Sequence, residues 1–308
     1  MKHPHYYLDD LSTLERKLLP SKKDVEKFKS IGWYVSPKII SDEIIDSAII
    51  GSTEFYDGVR DFQLKSRAGI ADDKPQAEQV LINNEFVTLQ KRQLRDLGLN
   101  KLVVATAAIL SETNELRLFS DSLINKQPQT EHDRGIVGWH TDKAYWPTCT
   151  SNHMVTAWIP LQDVSIEMGL VVYIDGSHKW FKDETLKQYY SFNKQELGDL
   201  EKYFQDASLE ANESPMIVKR GQVCFHNCHV IHASKPNISK KSRLALAIHF
   251  QDHRNHYQTH LDQDGQPVSI GYDNLCSRDE NDLPNYRDPS FFPVVFTTNS
   301  CALDKPEE

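Results

Sequence analysis

Apolar positions in the first third of the chain recur every three or four residues, a spacing typical of helices packed on one face. In residues 21–31 this pattern places Val25, Phe28 and Ile31 on a common face. Ser41, followed by acidic residues, is typical of a helix N-cap. The pattern predicts helices at 21–31, 41–50, 90–97 and 102–110, a strand at 32–35, and an irregular polar segment at 51–79 near the mouth of a site.

From Leu116 the period shortens to brief apolar runs separated by Gly, Pro and Asn, which is typical of strands and turns. The predicted strands are 116–119, 122–125, 154–160, 170–174, 216–218, 223–225 and 244–250, with a polar loop at 126–135. Many short strands of this kind predict a mainly β protein with surrounding helices, built on a double-stranded β-helix (jelly-roll, cupin-like) core.

We therefore expect one domain over residues 1–308. Residues 1–115 form a helical scaffold, 116–253 the jelly-roll core, and 254–308 an extension packed over the barrel. Residues 180–215 are predicted to be an insertion, helical around 194–204. Because Lys182 to Glu213 is long, charged and poor in apolar anchors, we expect it to act as a lid that orders on substrate binding.

The composition narrows the classes of function. The chain has 308 residues, 39% hydrophobic and 26% charged, with a formal net charge of −9. This negative balance argues against a nucleic-acid partner, which needs a basic surface. No signal peptide or bilayer-length apolar run is visible, and five cysteines without a C-x-x-C pair favour free cytoplasmic thiols. We expect a cytoplasmic protein without membrane attachment; its oligomeric state is left open.

The candidate chemistry begins at His140 and Asp142, which stand two residues apart. On a strand, residues i and i+2 point to the same face. An imidazole and a carboxylate side by side are two ligands of the facial triad that binds non-heme Fe(II). The alternative, a strand with two polar residues on its solvent face, is the more common origin of such a pair.

Three histidines compete for the third ligand: His226, His229 and His232. We favour His232 because Ser234 follows on the same face and Arg243 lies eleven residues on, across a turn. An arginine fork binds both oxygens of a carboxylate. A metal triad with a nearby arginine indicates a site for a 2-oxo diacid, whose keto acid end chelates iron while the far carboxylate meets Arg243.

These residues, in this order, resemble the phytanoyl-CoA dioxygenase family of Fe(II)- and 2-oxoglutarate-dependent oxygenases over about residues 117–250. The motifs that carry the resemblance are Leu123-Ile124-Asn125-Lys126, His140-x-Asp142-x-x-Tyr145, Trp158, Gly176-Ser177-His178-Lys179, His232-x-Ser234 and Arg243. The extra histidines around residue 226 depart from the family pattern.

The resemblance implies an enzyme that uses Fe(II), 2-oxoglutarate and O2. It implies that Asn125, Trp158, Ser234 and Arg243 contact 2-oxoglutarate, and that Trp146 lies toward the substrate. Trp139, Tyr145 and Trp146 are candidates for the substrate pocket, although all three are equally compatible with a core role. Trp158 and Asn125 also have structural alternatives, as a core residue and a turn residue.

The predicted reaction is hydroxylation of an unactivated carbon of a small molecule. The sequence resembles bacterial natural-product-tailoring hydroxylases, and a polar alkaloid of the cylindrospermopsin type is the candidate substrate. Two other classes stay open. One is a peptide or protein hydroxylase, and the other is a catalytically silent jelly-roll binding module in which His140 and His232 are relics or hold zinc.

Overall fold

The computed structural model describes residues 3–66, 70–71, 79–180, 211–262 and 264–298. The helices in these ranges are α1 (Thr13–Arg16), α2 (Lys22–Ile31), α3 (Asp42–Tyr56), α4 (Arg92–Gly98) and α5 (Lys101–Leu110). The strands are β1 (Tyr6–Tyr7), β2 (Trp33–Val35), β3 (Leu81–Glu85), β4 (Glu115–Lys126), β5 (Val137–His140), β6 (Val155–Pro160), β7 (Val171–Ile174), β8 (Glu213–Pro215), β9 (Cys224–Asn227), β10 (His232–Ser234), β11 (Arg243–Asp252), β12 (His260–Leu261), β13 (Pro267–Val268) and β14 (Val294–Thr297).

Helix α2 shows how local sequence sets an element's ends. Ser21 accepts a hydrogen bond from the backbone N–H of Asp24, whose side chain bonds back, forming a capping box. The helix ends at Gly32, which has a φ of 88°. A Cβ atom there would lie 2.5 Å from both His178 Nδ1 and Val230 Cγ2. Glycine is therefore required for the chain to turn from α2 into β2 against its neighbours.

Two sheets make up the core. In the described residues the larger sheet has the order β1-β14-β4-β11-β6-β9-β2, with β3 also paired to β4. The smaller sheet has the order β5-β10-β7-β8. Apart from the parallel pair of β1 and β14, the pairs in these sheets are antiparallel. The fold is the predicted double-stranded β-helix with helices around it.

Strand β11 separates two hydrophobic cores. Leu246 and Ile248 point to the core shared with the helices. Ala245 and Ala247 point to the core between the two sheets. Since both faces are buried, the strand alternates large with small residues rather than apolar with polar ones. The small residues leave room between the sheets, where the candidate site lies.

Several predicted elements need correction. Helix α3 continues to Tyr56 rather than ending at residue 50, because Ser52 and Phe55 extend its buried face. Ser41 holds the N-cap position, but its side chain caps no helix N–H. The two strands predicted at 116–119 and 122–125 are one strand, β4. The strand predicted at 216–218 lies instead at 213–215, where β8 pairs with β7.

The terminal regions contribute strands to the larger sheet. Strand β2, predicted at 32–35, pairs with β9. Strands β3 and β14, which the sequence analysis did not separate from scaffold and extension, both pair with β4. The alternation that would mark β3 is masked by its polar residues, Asn83 and Asn84. The predicted helix around 194–204 and residues 182–210 of the predicted lid, which spans 182–213, lie outside the described residues. None of the described helices has the length and apolar character of a membrane span.

Candidate active site

Two histidines face each other across neighbouring strands of the smaller sheet. His140 ends β5 and His232 begins β10, and the two are register partners with ring centroids 4.1 Å apart. Their Nδ1 atoms hydrogen-bond to the carbonyl oxygens of Gly138 (2.7 Å) and Val230 (3.0 Å). Because each Nδ1 donates to a carbonyl, each Nε2 keeps a lone pair available for a metal ion.

The carboxylate of the site comes from a short 3₁₀ helix, Asp142–Tyr145, and not from the strand that the H-x-D spacing predicts. Thr141 is its N-cap and accepts from the N–H of Ala144 at 3.3 Å. Asp142 Oδ1 lies 3.6 Å from His232 Nε2. Ligand atoms of His140, Asp142 and His232 all lie within 4.8 Å of one another. The predicted same-strand geometry is wrong, while the three predicted side chains do converge.

The electrostatics of this cluster suit a cation. Burial lowers the pKa of His140 and lowers that of His232 well below the ordinary histidine value. Burial opposes ionisation of Asp142, but the adjacent His226 and His232 outweigh it and keep the Asp142 pKa well below its usual range. Two neutral imidazoles and one carboxylate are the protonation states that metal ligation requires.

The other two candidate histidines, His226 and His229, contact protein side chains. His226 Nε2 lies 2.9 Å from Asp142 Oδ2, and its Nδ1 lies 2.9 Å from the hydroxyl of Tyr173. His229 Nε2 lies 2.9 Å from Asn152 Oδ1. Each of these two rings therefore has a side-chain partner at Nε2. Among the described residues, His232 is the candidate whose ligand atoms converge with those of His140 and Asp142.

Arg243 lies at the first position of β11, with its side chain buried between the sheets. Its Nη1 donates to the carbonyl of Gly169, and its guanidinium carbon lies 5.4 Å from the ring centroid of Trp158. Arg243 Nε and Trp158 Nε1 are both buried without a hydrogen-bond partner. Burial lowers the Arg243 pKa to about 10.

The unpartnered N–H groups of Arg243 and Trp158 indicate whether 2-oxoglutarate fits this end of the site. A buried N–H without an acceptor is costly, and a buried arginine is retained where an anion meets it. Within the described ranges, no ion pair joins Arg243 to a carboxylate. An acceptor-rich, doubly charged ligand would satisfy both Arg243 and Trp158. The residues at this end of the site therefore fit the distal carboxylate of a 2-oxo diacid.

Lys126 belongs to one of the motifs that carry the family resemblance, but its role was not predicted from the sequence. It is the register partner of Arg243 and is fully buried. Its ammonium donates to Ser234 Oγ at 2.5 Å, to the Ser234 carbonyl at 3.3 Å and to the Lys235 carbonyl at 2.8 Å. Burial, and then the charge of Arg243, lower the Lys126 pKa well below its usual value. Lys126 thus fixes Ser234 and places a second basic group beside Arg243.

Asn125 is not brought to the same place. Register partners in an antiparallel sheet share a face, and Asn125 pairs with Leu244, which packs against the helix-side core. Lys126 and Arg243 form the next pair and point between the sheets. Alternation therefore directs the Asn125 side chain away from Arg243, so strand geometry does not favour its predicted contact with 2-oxoglutarate.

The three candidate substrate residues have different settings. The Tyr145 ring is half-buried, with its centroid 5.5 Å from that of His140. Trp146 is buried in the helix-side core, edge-on to His249 at 4.9 Å. Trp139 is buried in the core between the sheets, beside a bulge at which β5 slips relative to β10. The core alternative thus describes Trp139 and Trp146, and Tyr145 remains beside the triad.

The sequence reasoning missed the residues that hold Asp142 in place. Thr156 donates to Asp142 Oδ2 at 2.5 Å and bonds His249 Nδ1 at 2.9 Å. Alternation gives the signal that could have found them, because Thr156 stands two residues before Trp158 and His249 stands six after Arg243.

Sequence comparison bears directly on this site. The profile of the phytanoyl-CoA dioxygenase (PhyH) family matches residues 56–245, more than half of the chain. The chain belongs to the phytanoyl-CoA dioxygenase family. Peroxisomal phytanoyl-CoA dioxygenase of Homo sapiens is 29% identical over 137 residues, which are 44% of this chain and 39% of that protein. The phytanoyl-CoA dioxygenase domain-containing protein 1 homolog of Caenorhabditis elegans is 28% identical over 137 residues, which are 43% of this chain and 45% of that protein.

The chain thus spans less than half the length of these curated relatives. Among solved structures, the non-heme alpha ketoglutarate dependent carbocyclase SnoK from nogalamycin biosynthesis superposes with a TM-score of 0.60 and 21% identity, covering 81% of this chain and 94% of SnoK. EctD from S. alaskensis, solved with 2-oxoglutarate and 5-hydroxyectoine, gives a TM-score of 0.61 at 16% identity, covering 78% of this chain and 79% of EctD. At these identities the likeness shows the shared fold.

Proposed function

We propose that this member of the phytanoyl-CoA dioxygenase family is an Fe(II)- and 2-oxoglutarate-dependent oxygenase that hydroxylates an unactivated carbon of a small molecule. The observation that carries the proposal is the pairing of two sites in one cavity. A His-Asp-His cluster lies at one end, and a buried arginine with an unpartnered Nε lies at the other. Neither feature alone identifies the chemistry, but together they match a chelating diacid.

The roles of the chain's own residues follow from their contacts. His140, Asp142 and His232 would hold the iron with neutral nitrogens and one charged oxygen. Arg243 and Trp158 would bind the distal carboxylate, and Lys126 would keep Ser234 in place beside it. The bound iron and 2-oxoglutarate supply the chemistry, in which O2 is consumed and succinate and CO2 are released as the substrate carbon is hydroxylated.

The protein shields these side chains from solvent. His140, Asp142 and His232 are each no more than 9% exposed, and Arg243 is 2% exposed. Such burial strengthens the interaction of Arg243 with a carboxylate. It also protects the oxidising site from side reactions with solvent. Tyr145, beside His140, is the candidate for orienting the substrate.

For the substrate, we favour a polar natural product, with alkaloids of the cylindrospermopsin type first in the screen. The support is the fold shared with SnoK from nogalamycin biosynthesis and with EctD, solved with 5-hydroxyectoine. A peptide substrate and a silent, zinc-holding module are the competing classes.

The test is Fe(II)-dependent release of succinate from 2-oxoglutarate, measured with panels of small polar molecules and of peptides. We expect small molecules to stimulate release and His232→Ala to abolish it. Stimulation by peptides alone would overturn the substrate class. Tight zinc binding with no succinate release under any condition would overturn the enzyme itself.

A further inference from the structure

A carboxylate can bind a metal ion through one oxygen or through both, and the choice decides how many positions stay open. A 2-oxo acid chelate and O2 together need three positions beside the three protein ligands. Asp142 must therefore be kept from turning its second oxygen to the metal. The question is which residues of this chain prevent that turn.

The contacts of Asp142 divide cleanly between its two oxygens. Oδ1 lies toward His232 Nε2, at 3.6 Å. Oδ2 accepts from the hydroxyl of Thr156 at 2.5 Å and lies 2.9 Å from His226 Nε2. His249 Nδ1 is 3.7 Å from the same Oδ2. One oxygen is thus left for the metal, and the other is held by the larger sheet.

Sheet register explains why these side chains meet. His226 is the partner of Thr156 in the pairing of β9 with β6, and Thr156 is the partner of His249 in the pairing of β6 with β11. Partners share a face, so the three form one row across the floor of the cavity. This row lies on the larger sheet, whereas His140 and His232 lie on the smaller one.

The direction of each hydrogen bond follows from the chemistry of the atoms. A carboxylate oxygen only accepts, so Thr156 and His226 Nε2 must both donate to Asp142. The other ring nitrogen of His226, Nδ1, lies 2.9 Å from the hydroxyl of Tyr173. Tyr173 is fully buried, and it stacks on Trp33 at 6.2 Å. A hydroxyl that donates to Nδ1 favours the arrangement in which Nε2 carries a proton and donates to Asp142.

Resting on the proposed function, we propose that His226, oriented by Tyr173, is a positioning residue that restrains Asp142 to single-oxygen coordination. In this role His226 acts through Asp142 and is not itself a metal ligand. Its role is to occupy Oδ2 and so to keep a coordination position open. Outer hydrogen bonds of this kind typically change metal affinity about 10–100-fold when they are removed.

The experiment uses the full chain loaded with Mn(II), whose water ligands can be counted by solvent proton relaxation. We expect about three water ligands in the wild type, since three protein atoms bind the ion. In His226→Leu we expect one fewer water, because Asp142 can then bind through both oxygens, and an affinity about tenfold or more weaker. His226→Gln, whose amide can still donate, should restore the wild-type water count and bring the affinity to within about threefold of the wild type.

Tyr173→Phe is the second variant, and it leaves the His226 ring in place. We expect it to weaken Mn(II) binding about threefold or more and to lower the water count partly. Circular dichroism monitors folding; if His226→Leu does not fold, His226→Gln and Tyr173→Phe decide the question. An unchanged water count and affinity in Tyr173→Phe, or in a folded His226→Leu, would overturn the proposal. Loss of binding in His226→Gln as complete as in His232→Ala would make His226 a ligand instead.

These readouts do not depend on turnover. A wild type that binds Mn(II) with the expected waters but releases no succinate would defeat the proposed function and leave the role of His226 standing. Normal succinate release by the wild type, with no effect of His226→Leu or Tyr173→Phe on Mn(II) binding, would overturn the role of His226 and leave the proposed function standing.

Discussion

The two ends of the cavity are built on opposite principles. At the metal end, Asp142 meets donors on Oδ2 and each ligand histidine donates its Nδ1 proton to a carbonyl. At the other end, two basic side chains, Lys126 and Arg243, are buried side by side, and the Arg243 Nε has no hydrogen-bond partner.

This difference teaches which part of the site is complete before ligands arrive. The metal end has its side chains oriented and its protonation states set by the protein alone. The arginine end carries positive charge that the described residues do not neutralise, so it favours binding of an anion at a cost to the stability of the free protein. Each prediction below perturbs one of the two ends.

The largest effect is expected at the metal end. His232→Ala or His140→Ala removes one of three ligands, so we expect iron-dependent turnover to be abolished with the fold intact. Succinate release measures turnover, and circular dichroism measures folding. His229→Ala is the matched control, since that ring bonds Asn152, and it should keep its metal. Turnover that survives in His232→Ala but vanishes in His229→Ala would contradict the assignment of the distal ligand.

The second largest effect is expected from Arg243→Ala, at the other end of the site. Removing one partner of a buried charge pair costs about 2–5 kcal/mol, so we expect the apparent constant for 2-oxoglutarate to rise about thirtyfold or more. Iron affinity should change little, because the metal end is held by separate contacts. The measurement is succinate formation against 2-oxoglutarate concentration. Arg220→Ala, which removes a surface ion pair with Asp46, is the control; an unchanged constant in Arg243→Ala would remove this residue from the cosubstrate site.

The buried charge of Arg243 also affects the free energy of unfolding. At a 2-oxoglutarate concentration of 100 times the wild-type Kd, binding stabilises the wild type by about 2.7 kcal/mol. If Arg243→Met weakens binding thirtyfold, the stabilisation falls to about 0.9 kcal/mol. Without ligand, we expect Arg243→Met to be as stable as the wild type or more so, because it removes an unpaired buried charge. Urea unfolding with and without 2-oxoglutarate measures both; a strongly destabilised ligand-free variant would show that Arg243 is structural.

The smallest effect is expected from the pH dependence of Lys126. Its pKa in the folded protein is well below 10.5. Between the folded and unfolded pKa values, the unfolded state binds more protons, so the free energy of unfolding rises with pH by up to about 1.4 kcal/mol per unit. Lys126→Met should lack this rise. Urea unfolding of both proteins without 2-oxoglutarate across this window is the measurement, and parallel pH curves would mean that Lys126 titrates normally.

The sequence by itself determined the periodicities and the local spacings. Helix α2 follows from Ser21, the apolar face through Phe28, and Gly32, all within one segment. The spacing of His140 and Asp142 indicates a metal site, and Ser234 follows His232 by two residues on β10. Arg243 follows at the start of the next strand, so short-range alternation and a turn suffice to place it near the same cavity.

Only the tertiary structure decided which distant residues share a face. The sequence favoured His232 over His226 only through the positions of Ser234 and Arg243, whereas the structure separates the two histidines by placing them in different sheets. Lys126 meets Arg243 because β4 pairs antiparallel with β11 across more than a hundred residues, and a shift of one residue in that register would exchange Lys126 with Asn125. The chain also leaves the strand at Thr141, so Asp142 reaches the metal end through a 3₁₀ turn whose orientation is set by Thr156 and His226 on the opposite sheet. Register and sheet-to-sheet packing are long-range properties, and no local spacing encodes them.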